Sequence, residues 1–123
     1  KVNTKDGAMI SSSYVEDDNL ATVGWYSGNS GNKTHEVGLK DKNSLNLYDM
    51  AGNLWEWCWD WYADGVSTDE ATDPCGAAPG SDRVRRGGGY SDNAFRCAGS
   101  YRVISNPDDR RSTLGFRVCR SIR

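Results

Sequence analysis

Alternation of apolar and polar positions dominates one stretch of the chain and is weak elsewhere. From Asn43 to Tyr62, NSLNLYDMAGNLWEWCWDWY, Leu45 and Leu47 take alternate positions and a turn follows at Asp49-Met50-Ala51-Gly52-Asn53. Trp55, Trp57, Trp59 and Trp61 then recur at every second residue. A period of two is that of a β-strand. The pattern therefore predicts a strand with the indoles on one face and Glu56, Cys58 and Asp60 on the other. Four indoles on one face bury a large apolar area and are expected to wall the core. A carbohydrate-stacking stripe is the alternative. Two shorter strand-like runs are Arg83-Val84-Arg85-Arg86 and Leu114-Gly115-Phe116-Arg117-Val118.

The rest reads as loop. Residues 1–24 are weakly patterned, with Ile10 and a possible short strand near Ala21-Thr22-Val23. Gly24 to Lys33 is dense in Gly, Asn and Ser, and Ala63 to Asp82 carries the turn-forming run DPCGAAPGSD. Between Arg86 and Leu114 no period of two or of 3.6 persists, as expected of a surface loop on a rigid frame. Its residue types are unusual as a set. Ser91 to Thr113 contains no Lys, Glu, Gln, Met or Trp, although the preceding chain uses four of these. Solvated loops are ordinarily rich in Lys and Glu, so something besides solubility selects them.

A length of 123 residues fits a single domain, 1–123, with a modest core. Net charge is −2, which gives no basic patch for nucleic acid, and no apolar run is long enough for a membrane span. The chain opens on Lys1-Val2 without a secretory signal or initiator Met, and reads as a processed or truncated product. Cys58, Cys75, Cys97 and Cys119 lack C-x-x-C spacing, which argues against zinc. They allow two disulfides or buried thiols; for Cys58 and Cys97 the thiol is at least as good a reading. His35 is the only histidine and reads as a surface or packed residue, and no G-x-S-x-G turn is present.

The run Asn46-Leu47-Tyr48-Asp49-Met50-Ala51-Gly52-Asn53-Leu54-Trp55-Glu56-Trp57, followed by Arg83-Val84-Arg85-Arg86-Gly87-Gly88 and Gly115-Phe116-Arg117, resembles the formylglycine-generating enzyme (sulfatase-modifying factor) family. The resemblance covers roughly Gly24 to Arg120 and implies an α+β fold, a loop-rich variant of the C-type lectin fold with short antiparallel strands. It also implies that the chain is the C-terminal part of such a domain. Asn46 stands where the family often has Gly, and Gly89-Tyr90 where Ser-Trp is common. By the same resemblance, Asp49, Gly52, Leu54 and Glu56 occupy positions that hold a structural calcium, with two carboxylates and two backbone carbonyls as hard oxygen donors. The alternative is that Asp49 caps the turn and Glu56 pairs with an arginine. Oxidase members need a reactive cysteine pair after the Gly-Gly turn. Here Ser91 to Arg96 has no thiol, and Cys97 matches a structural cysteine. No catalytic residue and no redox cofactor are expected.

The segment 90–113 further resembles the variable proteins of bacterial diversity-generating retroelements, which use the same fold. Their template is rich in Asn codons and is mutated at adenines. Template-like positions fall at Ser91, Asp92, Asn93, Phe95, Arg96, Tyr101, Val103, Ile104, Ser105, Asp108, Asp109, Arg111, Ser112 and Thr113. Every residue type there is reachable from an AAC codon through its adenines, whereas Lys, Glu, Gln, Met and Trp are not. Ala94, Cys97, Arg102, Pro107, Arg110, Leu114 and Phe116 stand between them as the expected scaffold. With Tyr90, the set has a paratope's chemistry of rigid aromatics, adaptable hydrogen bonders and arginines. For Ile104, and less so for Phe95, a place in the core is the alternative. The resemblance implies a monomeric, exported, cell-surface protein that binds an unidentified macromolecule or glycan through this segment. Other readings are an oxidase with a displaced active site and a constant carbohydrate-binding module.

Overall fold

The computed structural model describes residues 17–65 and 76–119. Ile10 and Cys75 lie outside the described residues, as does most of the long loop expected after Ala63.

The first element corrects an expectation. Ala21-Thr22-Val23 belongs to a helix, α1, spanning Asp18–Val23. Asp17 caps it by accepting a hydrogen bond from the Leu20 amide at 2.9 Å, which satisfies an amide with no partner inside the helix. Leu20 and Val23, three residues apart, share one face and are fully buried. One and a half turns are too short to show a 3.6 period in sequence.

A strand β1 (Gly24–Trp25) follows and pairs in parallel with β2 (Ala51–Gly52), inside the expected Asp49–Asn53 turn. The backbones cross closely there. A Cβ on Gly52 would collide with the Trp25 carbonyl, and the residue sits at φ +76°, a conformation open to glycine and costly for most others. Asn53 continues the turn at φ 63°. Its side chain holds His35 from both sides, accepting from the His35 amide at 3.0 Å and donating to its carbonyl at 3.1 Å. The His35 ring stacks on Trp25 at 3.8 Å between centroids, and its Nε2 donates to the Ser30 carbonyl at 2.7 Å. Of the two readings from sequence, surface or packed, His35 takes the packed one.

The main sheet holds four strands: β3 (Trp55–Trp61), β4 (Arg83–Arg86), β5 (Arg102–Ser105) and β6 (Leu114–Phe116), ordered β5-β4-β3-β6. Strand β3 runs antiparallel to β4 and parallel to β6, and β4 runs antiparallel to β5. Laterally paired residues share a face, so Phe116, Trp57, Arg85 and Val103 form one row across the sheet. Gly115, Glu56, Arg86 and Arg102 form the next row, on the opposite face.

The tryptophan strand is where it was expected, but it is not a uniform wall. Trp55 is 3% exposed and Trp59 82% exposed, with Trp57 and Trp61 half-buried. The ladder explains the difference. Trp57 pairs with Arg85 and Trp61 with Arg83, so β3 spends two more residues than β4 over this interval. That irregularity lifts Trp59 out of the rows. The Arg83 guanidinium lies 4.9 Å from the Trp59 ring and 3.6 Å from Trp61. The core lies instead among Leu20, Val23, Tyr26, Ala51, Ala94 and Cys97, where α1 and β2 meet the segment after β4. Phe116, expected as scaffold, is 77% exposed because it ends the edge strand β6.

Truncation of Trp55 to alanine is expected to destabilise the fold by roughly 3–5 kcal/mol, the range for a buried aromatic. Trp59→Ala is expected to stay within about 0.5 kcal/mol, as for an exposed site. Chemical denaturation of both variants checks the contrast, and equal midpoints would contradict it.

Candidate ligand-binding surface

Three glycines lead from β4 to a short 3-10 helix, Ala94–Cys97. Gly88, at φ +73°, is needed because a Cβ there would lie 2.6 Å from the Cys97 sulfur. Asn93 caps the helix, its side chain accepting from the Arg96 amide at 3.2 Å. The result is a division by side. Ala94 and Cys97 are fully buried, while Phe95 is 48% exposed and Arg96 is exposed. The positions expected to be displayed and those expected to be scaffold thus separate within four consecutive residues.

Asp92 is the joint of this segment. Its Oδ2 accepts from the Trp55 indole at 2.6 Å and from the Gly89 amide at 3.0 Å, while Oδ1 pairs with Arg96 at 3.1 Å. Its carbonyl accepts from the Ser27 amide at 2.9 Å. Expected as a binding residue, Asp92 is committed to holding the buried Trp55. Tyr90 is similarly tied through its backbone, its amide donating to the Asn53 carbonyl at 2.8 Å and its carbonyl accepting from the Ser30 hydroxyl at 2.7 Å.

Beyond the 3-10 helix, Tyr101 makes an edge contact with Phe95 at 5.1 Å and a tilted one with Trp55 at 6.2 Å. These three rings are contiguous, running from buried Trp55 to exposed Phe95. Ile104 is 50% exposed, so it is not a core residue. Val103, Asp109 and Thr113 are half-buried, and Ser91, Asp108, Arg111 and Ser112 are exposed. Arg111 pairs with Asp109 at 2.9 Å. Ser105 departs from the expected display set: at 4% exposure it lies beside Arg83 in the sheet, and its hydroxyl has no partner. Of the expected scaffold, Arg102 is anchored to the Ala63 carbonyl at 2.7 Å, Leu114 is half-buried, and Pro107 and Arg110 are exposed. Arg85, read from sequence only as part of a strand, stacks over Trp55 at 4.8 Å.

The turn expected to hold calcium lies against a cleft of about 490 Å³ lined by Tyr48, Asp49, Leu54, Glu56, Phe116 and Arg117, among others. Asp49 Oδ2 accepts from the Gly38 amide at 2.7 Å, and Oδ1 is buried without a partner. Arg117 donates to both Glu56 oxygens, at 2.9 and 2.8 Å, and to the Asp49 carbonyl at 3.0 Å. The bonds to Glu56 raise the Arg117 pKa. Of the two carboxylates only Asp49 Oδ1 is free, and the turn fits a cation only if Arg117 yields Glu56.

The described cysteines, Cys58, Cys97 and Cys119, are free thiols. Burial first, then the Asp92 charge, pushes the Cys97 thiol up to about 12, and burial also raises Cys58. Nucleophilic attack needs the thiolate. Cys97 is therefore an inert thiol at neutral pH.

The sequence from residue 5 to 122 matches the sulfatase-modifying factor enzyme 1-like domain, and the chain belongs to that family. Its fold accordingly is the α+β, C-type lectin-like one expected. Among solved structures it resembles Treponema denticola variable protein 1, with 45% identity and a TM-score of 0.77 over 92% of this chain and 41% of that one. PvdO from Pseudomonas aeruginosa, at 22% identity and a TM-score of 0.69, shares the fold over 93% of this chain and 46% of its own. Among sequence relatives, the formylglycine-generating enzyme of Mus musculus is 40% identical over 80 residues, 61% of this chain and 21% of the enzyme. The chain thus spans about a fifth of that relative and two fifths of the treponemal protein. No helix among the described residues is long and apolar enough to cross a membrane.

Iodoacetamide is expected to modify exposed Cys119 in the native protein and to reach Cys97 only on unfolding. Because the Cys97 pKa rises from 9.0 to about 12 on folding, its native state holds a proton that the unfolded state releases above pH 9. The stability this provides is complete below that point and is lost as pH climbs toward 12. Peptide mapping after native labelling, and a melting series across that window with a Cys97→Ala comparison, check both statements.

Proposed function

We propose that this is a non-catalytic ligand-binding protein of the receptor or adhesin kind, whose segment 90–113 forms a surface diversified by a retroelement. The observation that carries the reading is the 3-10 helix, where Phe95 and Arg96 face out while Ala94 and Cys97 face in. Template-like positions hold the first pair, and positions expected to be scaffold the second. Resemblance to the treponemal variable protein supports the same reading. On it, the protein is exported to a bacterial cell surface, acts as a monomer, and takes a macromolecular or glycan ligand without nucleic acid or a redox cofactor. A nearby DNA repeat differing from the coding sequence only at adenines is the expected genomic counterpart.

Formylglycine-generating oxidation is the second reading, favoured by relatives that are named as such enzymes. The inert Cys97 and the thiol-free Ser91–Arg96 stand against it. A cysteine-containing sulfatase-motif peptide incubated with the protein is expected to keep its mass. Conversion to the aldehyde, lost in Cys97→Ser, would establish the oxidase instead. The exposed Trp59 favours a constant carbohydrate-binding module, which predicts ligand capture lost in Trp59→Ala and indifferent to the 90–113 segment.

Display and folding are expected to separate under mutation. Replacing Phe95 and Tyr101 together is expected to cost roughly 2 kcal/mol or more of affinity per anchor, with melting temperature little changed. Replacing Ala94 or Cys97 with larger residues is expected to unfold the protein first, since buried overpacking is destabilising. Libraries randomised at Phe95, Arg96, Tyr101 and Ile104, and at Ala94, Cys97 and Leu114, test this. Equal losses of folded members would overturn the display reading.

We also propose calcium at Asp49, Gly52, Leu54 and Glu56, with the unpartnered Asp49 Oδ1 as its support. Since Arg117 competes for Glu56, Arg117→Ala is expected to strengthen calcium-dependent thermal stabilisation and Asp49→Ala to remove it. An unchanged calcium stoichiometry in Asp49→Ala would exclude the site.

A further inference from the structure

Arg85 belongs to the frame strand β4, outside the adenine-reachable set, yet it lies under the candidate surface. It sits in one cross-strand row with Val103, its guanidinium 4.8 Å from the Trp55 ring. Trp55 leads to Tyr101 at 6.2 Å and from there to Phe95 at 5.1 Å. A cation therefore stands at the inner end of a run of three rings whose outer end is exposed.

What distinguishes Arg85 from the other described arginines is that it is partly buried and yet lacks an acceptor. Arg83 donates to the Trp59 carbonyl, Arg86 to Gly99, Arg102 to Ala63, Arg96 to Asp92, Arg111 to Asp109 and Arg117 to Glu56. Arg110 makes no such bond either, but it is exposed to water. Arg85 is half-buried, and its Nε is out of water's reach with no hydrogen-bond partner. A buried donor left unmatched is a standing cost that a ligand acceptor removes. The charges near it do not supply one. Asp92 is committed to Trp55, Gly89 and Arg96, and Asp109 holds Arg111. Arg111 and Arg96 offset the Asp92 and Asp109 charges at the same place, and the Arg85 pKa is lowered first by desolvation and then by Arg111.

We propose that Arg85 is a fixed anchor for an oxyanion, a carboxylate, phosphate or sulfate, on a ligand whose flat apolar body lies against Phe95 and Tyr101. The inference rests on the display reading and narrows it: the loop residues select the ligand's body, while the frame selects its charge. A planar guanidinium receives two oxygens side by side. The Nη groups meet the anion first, and a turn about the terminal bonds of the side chain brings Nε to the second oxygen.

Titrating the protein at low salt with phenyl phosphate, benzoate, inorganic sulfate and benzyl alcohol, followed by indole NMR signals, tests the anchor. Both aryl oxyanions are expected to shift Trp55 but not Trp25 and to bind about tenfold more tightly than benzyl alcohol or sulfate alone. The preference is expected to weaken with salt. Arg85→Gln is expected to remove it at an unchanged melting temperature, with Arg85→Lys retaining part. Equal binding of benzyl alcohol, no response to any probe, or a larger loss in Arg96→Gln or Arg111→Gln would overturn the assignment. Should Arg85→Gln fail to fold, the Trp55 shift and the benzyl alcohol comparison in the parent protein decide alone. A library randomised at Phe95, Arg96, Tyr101 and Ile104, panned on immobilised acidic and neutral peptides, separates the two ideas. Binders to both kinds, indifferent to Arg85, would remove the anchor and keep the display surface. Binders to neither would remove the display surface.

Discussion

The left-handed turn at Gly52 and Asn53 is the constraint on which the other parts depend. The Gly52 amide donates to the Gly87 carbonyl and the Asn53 amide to the Trp25 carbonyl, both at 2.7 Å, while the Asn53 carbonyl accepts from Tyr90. Two adjacent residues thus tie the N-terminal strand, the glycine run after β4 and the entrance to the candidate surface. The Asn53 side chain adds the His35 backbone to the same knot. Buried backbone groups must find partners, and here one turn supplies them for three segments far apart in sequence. With strands of two to four residues everywhere but β3, such knots replace the long ladders that hold larger sheets together.

Rigidity in the frame is what allows the outer segment to be irregular. Trp55 is the contact between them: its indole proton goes to Asp92, its face carries Arg85, and Tyr101 packs beside it at a tilt. The side chains that meet a ligand on the proposed reading therefore stand on an aromatic floor that packing fixes, and lose little freedom on binding. The adjoining Cys97, packed on Gly88, serves the same floor from beneath.

Much of this arrangement was legible in the sequence, and the remainder was hidden for identifiable reasons. The tryptophan strand, the Asp49–Asn53 turn and the two short runs that become β4 and β6 follow from local pattern. Which tryptophan is buried does not, because the ladder irregularity between Trp57 and Trp61 depends on how β4 lies alongside. Helix α1 was read as strand because six residues carry too little periodicity. Phe116 counts as scaffold by its place among the template-like positions, but its burial is decided by its place on an edge strand. Pairing of Glu56 with an arginine was one reading of the sequence, but Arg117 is 61 positions away, so only folding reveals which arginine it is. Arg85 could have been noticed as the extra arginine in the run Arg83-Val84-Arg85-Arg86, but its lack of an acceptor is a three-dimensional fact.

Asp92 carries a consequence of a different order. It stands at an adenine-reachable position, yet both its carboxylate oxygens are used to hold Trp55, Gly89 and Arg96. Ser105, another such position, is buried beside Arg83. On the proposed reading, with mutation striking all such codons alike, an allele altered at either place loses fold stability before any ligand is met. The functional repertoire is then smaller than the count of encoded sequences. Survivors should also show correlated changes, with losses at Asp92 accompanied by residues elsewhere that restore a partner to the Trp55 indole.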